Sequence, residues 1–298
     1  MKPLVIVNPA AGGGRALRFW RRAAPVCLAA GLELEIFMTR KRGDAADRAA
    51  EAGDRLVISV GGDGTAHEVV NGLLRRPRSQ PPAFGALLAG TGADLVRSVP
   101  SPRRPELVAT WLSAGRFRRL DAARVATPAG HRYFINAADV GIGAEVVRRA
   151  AAGPALVGGT LNFMGAAVAS LLVHHNAGVR LRLDDGTVRQ LRIRTIAVSN
   201  GSCLGGGMRM APRAKVDDGL LEVVIVGDIG RLRGIRSLPL LYRGTHDRLR
   251  EVEFATARRV EVESESPIGV EADGELVGTT PAIFEILPGA LQVLDFRP

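Results

Sequence analysis

Residues 56–65 have the sequence LVISVGGDGT, an apolar run that leads at once into a glycine-rich loop. The apolar run predicts a buried strand, and the residues from the loop to Leu74 have the pattern of a helix. Open α/β sheets bind ligands at the carboxyl ends of their strands, which is where this loop lies. Asp63 is an acid in a loop whose N–H groups attract anions, and a divalent cation bridging to phosphate explains it. The alternative is a simple Asp-Gly turn in which Thr65 caps the helix.

The same arrangement of strand and glycine loop occurs twice more in the first 120 residues. The apolar runs 4–7 and 84–88 are followed by Gly12–Gly14 and by Gly90-Thr91-Gly92. Alternation of strands and helices predicts an α/β domain over residues 1–120, with a parallel sheet and flanking helices. The remaining elements of this alternation are a helix at 16–30, a strand at 32–38 and a helix at 45–52.

The pattern changes near Leu120, where a series of short alternating runs begins. These runs, separated by turn residues, predict a mostly antiparallel β-sandwich over 121–288 as a second domain. A tail of about residues 289–298 is expected to return to the first domain, and the active site is expected in the cleft between the domains. The predicted strands cover 120–127, 132–138, 179–183, 188–199, 220–226, 249–254, 259–263, 269–277 and 282–287.

The chain has 298 residues, of which 40 are basic and 30 are acidic, for a formal net charge of +10. A general preference for arginine would explain this excess without a function, and attraction to phosphates or to an anionic membrane face is the functional alternative. The arginines between residues 231 and 250 accordingly form either a solvated face or a surface for lipid head groups. Aromatic residues are only 4%, which argues against stacking on bases, so no nucleic-acid partner is expected.

Two cysteines, Cys27 and Cys203, are too few for a disulfide framework and favour a reducing compartment. The N-terminus does not have the pattern of a signal peptide. Residues 150–173 contain no charge, but their glycines and a proline favour a helix over 161–174 that packs or touches a membrane without spanning it. We therefore expect a cytoplasmic protein that is at most peripherally associated with membranes.

The glycine loops resemble, in order and spacing, those of the diacylglycerol kinase catalytic domain family, which includes sphingosine kinases, ceramide kinases and bacterial soluble lipid kinases. The resemblance implies an NAD-kinase-like first domain and ATP-dependent phosphorylation of a hydroxyl of a lipid such as diacylglycerol or a sphingoid base. A homodimer is compatible with it. Segments that agree with the family's pattern further along the chain are Asp121, Phe134-Ile135-Asn136, Val140–Gly143, Val198–Gly201, Gly205–Met208, Pro212, Asp217–Leu220 and Asp273-Gly274-Glu275.

The same resemblance implies roles for particular residues in phosphoryl transfer. Glu275 would be the general base, and Asp63, Asp121 and Asp273 would belong to the catalytic magnesium network. Without the resemblance, Asp273-Gly274-Glu275 would be interpreted as an ordinary hairpin turn. The residues implied to contact the nucleotide are Asn8, Thr39, Gly61, Gly62, Asp63, Gly64, Thr65, Ala66, His67, Gly90 and Thr91.

The resemblance also implies a structural magnesium ion in the second domain, held by the Asp218 carboxylate and the backbone carbonyls of Lys215 and Leu220. One position departs from the family: Ala93 stands where an asparagine usually helps to hold the nucleotide. We expect Ala93→Asn to tighten ATP binding by about 0.5–1.5 kcal/mol, the worth of one hydrogen bond.

Two other functions remain open at this point. One is a kinase of a soluble substrate such as NAD, whose relatives share a Gly-Gly-Asp-Gly-Thr loop and a two-domain plan. The other is a nucleotide- or polyanion-binding protein with little turnover, which the departure at Ala93 and the positive charge would suit. The turn Asp273-Gly274-Glu275 favours the lipid kinase.

Overall fold

The computed structural model describes residues 1–75, 80–88, 94–153 and 159–296. The chain forms two compact units. The first consists of Met1–Asp121 and the C-terminal segment from Gly289, and the second of Ala122–Pro288. Two strands, β5 (Phe117–Thr127) and β16 (Ala282–Leu294), therefore have residues in both units.

The first unit is a parallel α/β sheet, as predicted. The strand order is β2-β1-β3-β4, with every pair parallel, and the end of β16 pairs in parallel with β4. The elements are β1 (Leu4–Val7), α1 (Ala11–Ala29), β2 (Glu35–Met38), α2 (Asp44–Ala50), β3 (Val57–Gly61), α3 (Asp63–Leu74), β4 (Ala83–Leu88), α4 (Asp94–Ser98), a 3₁₀ helix (Pro105–Leu107) and α5 (Val108–Ala114).

The central strands β1 and β3 are buried along their whole length. Continuous runs of valine and isoleucine are typical of parallel strands that are covered on both faces. Trp20 of α1 and Trp111 of α5 belong to the cluster of buried side chains around Val5 and Ile58. Each large side chain buried in this way contributes roughly 1.5–3 kcal/mol, so the apolar strands determine where the helices pack.

The second unit is the predicted antiparallel sandwich. One sheet has the order β12-β11-β10-β7-β14-β15, and β16, β13, β8 and β9 pair in sequence in the other. Buried residues of both sheets, among them Phe134, Val198 and Phe284, form one core cluster. The elements are β6 (Gly130–Phe134), β7 (Ala137–Gly141), α6 (Ile142–Ala152), α7 (Gly159–Val173), β8 (Ala177–Leu183), β9 (Arg189–Ile193), β10 (Thr195–Ser199), β11 (Leu221–Val226), α8 (Arg231–Arg243), a 3₁₀ helix (His246–Arg248), β12 (Val252–Ala257), β13 (Arg259–Glu263), β14 (Gly269–Ala272) and β15 (Glu275–Thr279).

Three of the predicted strands in this unit are each two strands in the structure. The run 269–277 is the antiparallel hairpin of β14 and β15, which turns at Asp273 and Gly274. The run 132–138 is interrupted between β6 and β7, because the N–H groups of Ile135 and Asn136 bond to the Asp273 carboxylate instead of a neighbouring strand. The run 188–199 is interrupted at Arg194, which is buried and donates to the carbonyls of His174 and Ile229. Helices α6 and α8 were not predicted.

Helix α7 occupies most of the uncharged stretch, close to the predicted helix at 161–174. Within the described parts of the chain, no helix combines the length and the apolar character needed to cross a membrane. Residues 154–158, which precede this helix, lie outside the described residues.

Candidate functional site

Three of the predicted nucleotide contacts lie at one edge of the first unit's sheet. Asn8 follows β1, Thr39 follows β2 and Gly62 follows β3, and these three strands are neighbours. Strand pairing extends to this edge, because the Asn8 N–H donates to Val60 O and the Thr39 N–H to Val7 O, both at 2.9 Å. The carboxyl ends of parallel strands meet at one edge, so the arrangement is the one expected of an open α/β binding site.

Residues Gly61 to Thr65 form a turn that leaves no room for a side chain at its start. A Cβ atom at Gly61 would come closer than 3.0 Å to the Thr65 hydroxyl oxygen. Helix α3 has Gly62 as its N-cap, without a side-chain cap, so the alternative in which Thr65 caps the helix is wrong. The Thr65 hydroxyl instead accepts a hydrogen bond of 3.1 Å from the Asn8 amide, which connects the first and second glycine loops.

The first glycine loop is the most unusual stretch of backbone in this unit. Gly12, Gly13 and Gly14 follow one another with φ of 61°, 64° and 82°, so the regular turns of α1 begin only after them. Residues with side chains rarely adopt this left-handed conformation, which is why three glycines stand here. The side chains of Arg15 and Arg18 donate to the carbonyls of Gly12 and Gly13, which adds positive charge beside the loop.

Asp63 is the first residue of α3 and is half-buried. Its Oδ1 accepts a long hydrogen bond, 3.4 Å, from the N–H of Leu95. Asp121 is buried and accepts a hydrogen bond of 2.7 Å from the N–H of Gly289, which joins β5 to the returning C-terminal segment. His67, which was predicted to contact the nucleotide, is buried in α3, and its side chain contacts Asn71.

The predicted nucleotide contacts Gly90 and Thr91, together with Ala93, lie outside the described residues. Ala66 and Thr65 are buried, while a Cβ atom at Gly64 would meet no other atom within 4 Å. Among the residues that the structure describes, no three His, Cys, Asp or Glu side chains form a cluster able to hold a metal ion.

In the second unit, Asp273 and Glu275 stand at the hairpin turn between β14 and β15. Asp273 and Gly274 have φ of 49° and 82°, the left-handed conformation of a tight hairpin turn. The Asp273 carboxylate accepts hydrogen bonds from the N–H groups of residues 135, 136 and 137, at 3.0–3.1 Å. Its own N–H donates to Ala137 O at 2.8 Å, so the turn is fastened to the segment between β6 and β7.

Two further acids near this turn were missed by the sequence analysis. Asp139 on β7 and Glu271 on β14 are direct register partners, and both are buried. Burial raises the pKa of Asp139 to about 6, although hydrogen bonds from Thr195 and Gly143 favour its ionised form. Burial, and then the charge of Asp139, raise the pKa of Glu271 well above its usual range. The available signal was an acid inside each of two apolar runs, AADVG and GVEA.

The segment Lys215–Leu220 has the tight turn that its sequence predicts. Asp218 is exposed, and its Oδ1 accepts a hydrogen bond of 3.1 Å from the N–H of Leu220. Gly219 between them has φ of 72°. The turn therefore brings the Asp218 carboxylate next to the backbone of Leu220.

The second unit also contains a cavity of about 970 Å³ that the sequence did not predict. Its wall combines Glu145 and Arg148 of α6 with His174 and His175 after α7 and with Arg180 of β8. The two histidines follow the end of α7, as expected. The mixed charge of the wall distinguishes this cavity from the apolar core of the sandwich.

Comparison with known proteins identifies both halves of the chain. A family model described as the diacylglycerol kinase catalytic domain matches residues 2–125. A second model, the YegS C-terminal NAD kinase beta sandwich-like domain, matches residues 136–295. A Chromohalobacter salexigens protein named "probable lipid kinase YegS-like" is 34% identical, over 88% of this chain and 84% of that protein. A diacylglycerol kinase of Staphylococcus epidermidis is 28% identical, over 97% of this chain and 90% of that enzyme.

Solved structures show the same architecture. The crystal structure of a diacylglycerol kinase from Bacillus anthracis has a TM-score of 0.74 at 23% identity, covering 99% of this chain and 97% of that one. An NAD kinase from Archaeoglobus fulgidus in complex with ATP has a TM-score of 0.54 at 16% identity, covering 100% of this chain and 94% of that one. At these identities the likeness shows the fold alone, and it confirms the predicted NAD-kinase-like domain and β-sandwich.

The two family models match successive parts of the chain, and the similarity to the Chromohalobacter protein extends over most of that protein's length. Membership of a kinase family implies ATP as the phosphoryl donor. The chain therefore belongs to the diacylglycerol kinase catalytic domain family and is a lipid kinase.

Proposed function

We propose that the protein transfers the γ-phosphoryl group of ATP to a hydroxyl of a lipid such as diacylglycerol or a sphingoid base. The observation that carries this proposal is the Asp273–Glu275 turn, which Asp273 fastens to the neighbouring segment through its carboxylate and its N–H. The carboxylate of Glu275, at the end of this fastened turn, would be the general base that accepts the proton of the attacking hydroxyl. The names of the relatives, lipid kinase and diacylglycerol kinase, support the same class of acceptor.

Nucleotide binding is assigned to the edge of the first unit's sheet. Asn8 and Thr39 would contact the nucleotide from the ends of β1 and β2, and residues Gly61–His67 would contact it from the turn into α3. Three observations support nucleotide binding here: the close backbone turn at Gly61, the three left-handed glycines after β1 and the arginine side chains beside them. Each of these features favours the binding of a polyphosphate. Gly90 and Thr91 remain sequence-based members of this set.

The residues present fit a catalytic magnesium ion unequally. A carboxylate has about four acceptor positions, and that of Asp273 already accepts three backbone N–H groups. Asp273 would therefore serve the reaction by holding the turn. Asp63, with its long hydrogen bond, and Asp121 are the carboxylates that would hold the ion. When bound, magnesium neutralises the charge of the transferred phosphoryl group.

A structural magnesium ion fits the Lys215–Leu220 turn by the chemistry of its donors. The turn offers one exposed carboxylate, that of Asp218, and backbone carbonyl oxygens, and hard cations prefer oxygen ligands. We assign to this site the Asp218 carboxylate and the carbonyls of Lys215 and Leu220.

The transfer reaction is tested by a screen of acceptors. The purified protein is incubated with γ-labelled ATP and magnesium, and separately with diacylglycerol, a sphingoid base, a total lipid extract and NAD. We expect label in the organic extract of at least one lipid reaction. Label on NAD alone would assign the chain to soluble-substrate kinases, and ATP binding without any transfer would leave it a binding protein; either result contradicts the proposal.

We further propose that the protein meets its lipid at an anionic membrane surface through α7 and α8. These helices pack against each other. Their apolar side chains Met164, Leu172 and Leu232 are exposed to solvent. Arg231 and Arg236 lie exposed on the same helix as Leu232, so basic and apolar groups are interleaved. Such a combination binds anionic lipid surfaces by apolar insertion and by charge.

Vesicle sedimentation tests this surface. We expect binding to phosphatidylglycerol vesicles that falls with added salt, and weak binding to phosphatidylcholine vesicles. Leu232→Ser and Arg236→Glu should each weaken it. Leu28→Ser is the control, because Leu28 is also an exposed leucine on a helix but lies on α1 of the first unit. If Leu232→Ser and Arg236→Glu both bind the vesicles as strongly as the control and the wild type do, the membrane contact lies elsewhere.

A further inference from the structure

Two buried carboxyl groups face each other in the sheet that carries the Asp273–Glu275 turn. Asp139 on β7 and Glu271 on β14 are 4% and 6% exposed, and they are direct partners in the register of the two strands. Burying a carboxyl group costs free energy unless hydrogen bonds compensate, and two such groups side by side cost more. An apolar pair would suit these two positions better if stability were their only requirement.

The hydrogen bonds of Asp139 explain its presence. Its Oδ1 accepts the N–H of Gly143 at 2.8 Å, within the first turn of α6, and the hydroxyl of Thr195 bonds to Oδ2. A Cβ at Gly143 would come closer than 3.0 Å to the Asp139 carboxylate, so the helix approaches this side chain as closely as it can. Asp139 thus fixes the start of α6 on the sheet.

Glu271 makes a different contact. Its Oε2 accepts the N–H of Gly274 at 2.8 Å, and Gly274 is the middle residue of the Asp273–Glu275 turn. Asp273 holds the same turn from the other side through the backbone of residues 135–137. The turn is left-handed at Asp273 and Gly274, the backbone conformation of a tight two-residue hairpin turn.

We propose that Glu271 is a positioning residue for phosphoryl transfer: by holding the N–H of Gly274, its buried carboxyl group fixes the turn that presents Glu275. This inference rests on the proposed function, in which Glu275 is the general base. A base must lie within about 3 Å of the proton it removes, so a small displacement of the turn slows the reaction. Glu271 would act on the rate constant without touching ATP or the lipid.

The test compares two substitutions at the same position. Glu271→Gln keeps an oxygen that can accept the Gly274 N–H, and Glu271→Met fills the same volume without one. We expect Glu271→Gln to keep kcat within about threefold, and Glu271→Met to lower kcat by about tenfold to a hundredfold with an unchanged KM for ATP. Because the change to Met removes a buried carboxyl group, the melting temperature should stay level or rise.

Glu222→Met is the matched control. Glu222 is also buried, at 6% exposure, and lies on β11 of the same sheet, away from the turn. We expect it to leave kcat within about threefold of the wild type. A rate loss in this control equal to that of Glu271→Met would assign the effect to the sheet as a whole and overturn the proposal.

Amide hydrogen exchange of Gly274 gives a readout that does not depend on activity. Protection should be lost in Glu271→Met and kept in Glu271→Gln and Glu222→Met. If the wild type phosphorylates no lipid, the proposed function fails while this readout still decides whether Glu271 holds the turn. Three results would each overturn the positioning role. Glu271→Met could retain the wild-type kcat, or kcat could fall equally in Glu271→Gln and Glu271→Met. The third result is a marked fall in the melting temperature of Glu271→Met.

Discussion

Asp63 stands where the first unit's chemistry is expected, at the start of α3 and beside the glycine turn. We predict that Asp63→Ala abolishes lipid phosphorylation, with a loss of about a hundredfold to a thousandfold or more, because a group that organises metal and phosphate is removed. The fold should persist, since a carboxylate in the first turn of a helix contributes only about 0.3–1 kcal/mol to stability. Initial rates at saturating ATP and a thermal melt measure the two effects.

The control for this substitution is Asp185→Ala, because Asp185 is an exposed aspartate that follows β8 in the second unit. Its rate should match that of the wild type. Near-normal turnover by purified Asp63→Ala would remove Asp63 from the catalytic network.

At the level of single residues, the sequence indicated some partners and could not indicate others. The turn at Asp273-Gly274-Glu275 was evident from its letters. The three N–H groups that Asp273 binds lie more than 130 residues earlier in the chain, and no local pattern connects them. Thr65 was assigned a local capping role for the same reason: its actual partner, Asn8, is 57 residues away.

At the scale of the elements, the carboxyl group of Asp139, which titrates, connects β7 to the first turn of α6. The pKa of Asp139 rises from 3.8 to about 6 on folding, so between these pH values the folded protein holds more protons than the unfolded chain. Its contribution to stability is therefore largest at low pH and is lost as pH rises through this window. A rise in pKa from 3.8 to about 6 corresponds to a loss of stability on the order of 3 kcal/mol. Glu271, whose pKa is also raised, acts in the same direction.

We predict that Asp139→Asn removes this dependence. The free energy of unfolding of the variant, measured by denaturant titration from pH 4 to pH 7, should rise relative to the wild type by up to about 3 kcal/mol across the window. Asparagine can still accept the Gly143 N–H, so the start of α6 is kept. If the difference in free energy of unfolding between Asp139→Asn and the wild type does not change with pH, the pKa of Asp139 is not raised in the folded protein.

The elements also show where periodicity fails. Patterns of alternation identified most strands of the second unit, but they did not show that 132–138, 188–199 and 269–277 each contain two strands. The interruption at Arg194 depends on a buried guanidinium that binds carbonyls of two other segments, which is a tertiary contact. Helix α8 was missed because its arginines and Pro239 conceal the apolar spacing.

For the whole molecule, the proposed structural magnesium has a thermodynamic signature. A ligand that binds only the folded state stabilises it by mass action, so magnesium should raise the melting temperature of the wild type. Asp218→Ala should lower the melting temperature and remove its dependence on magnesium, while ATP affinity stays near normal. Melts with and without a chelator make this comparison.

Two results would contradict the proposed magnesium site at Asp218. If chelation does not change the wild-type melt, the site does not hold magnesium in this protein. If Asp218→Ala retains the wild-type response to magnesium, the ion binds elsewhere.

The two-unit organisation was predictable because the alternation of strands and helices gives way to short alternating runs near Leu120. The family could be recognised because three glycine loops recur in order. The cavity of about 970 Å³ could not be anticipated, since its wall is assembled from α6, the end of α7, β8 and the loop before β14.

The most direct test of the account is the rate of phosphoryl transfer from ATP to lipid by Glu275→Gln, measured beside the wild type. Glutamine has the same shape but cannot accept the proton of the hydroxyl. We predict that the wild type labels the lipid and that Glu275→Gln loses at least about a hundredfold in kcat, while it keeps wild-type ATP affinity, melting temperature and response to magnesium. Lipid phosphorylation by Glu275→Gln at the wild-type rate would contradict the account.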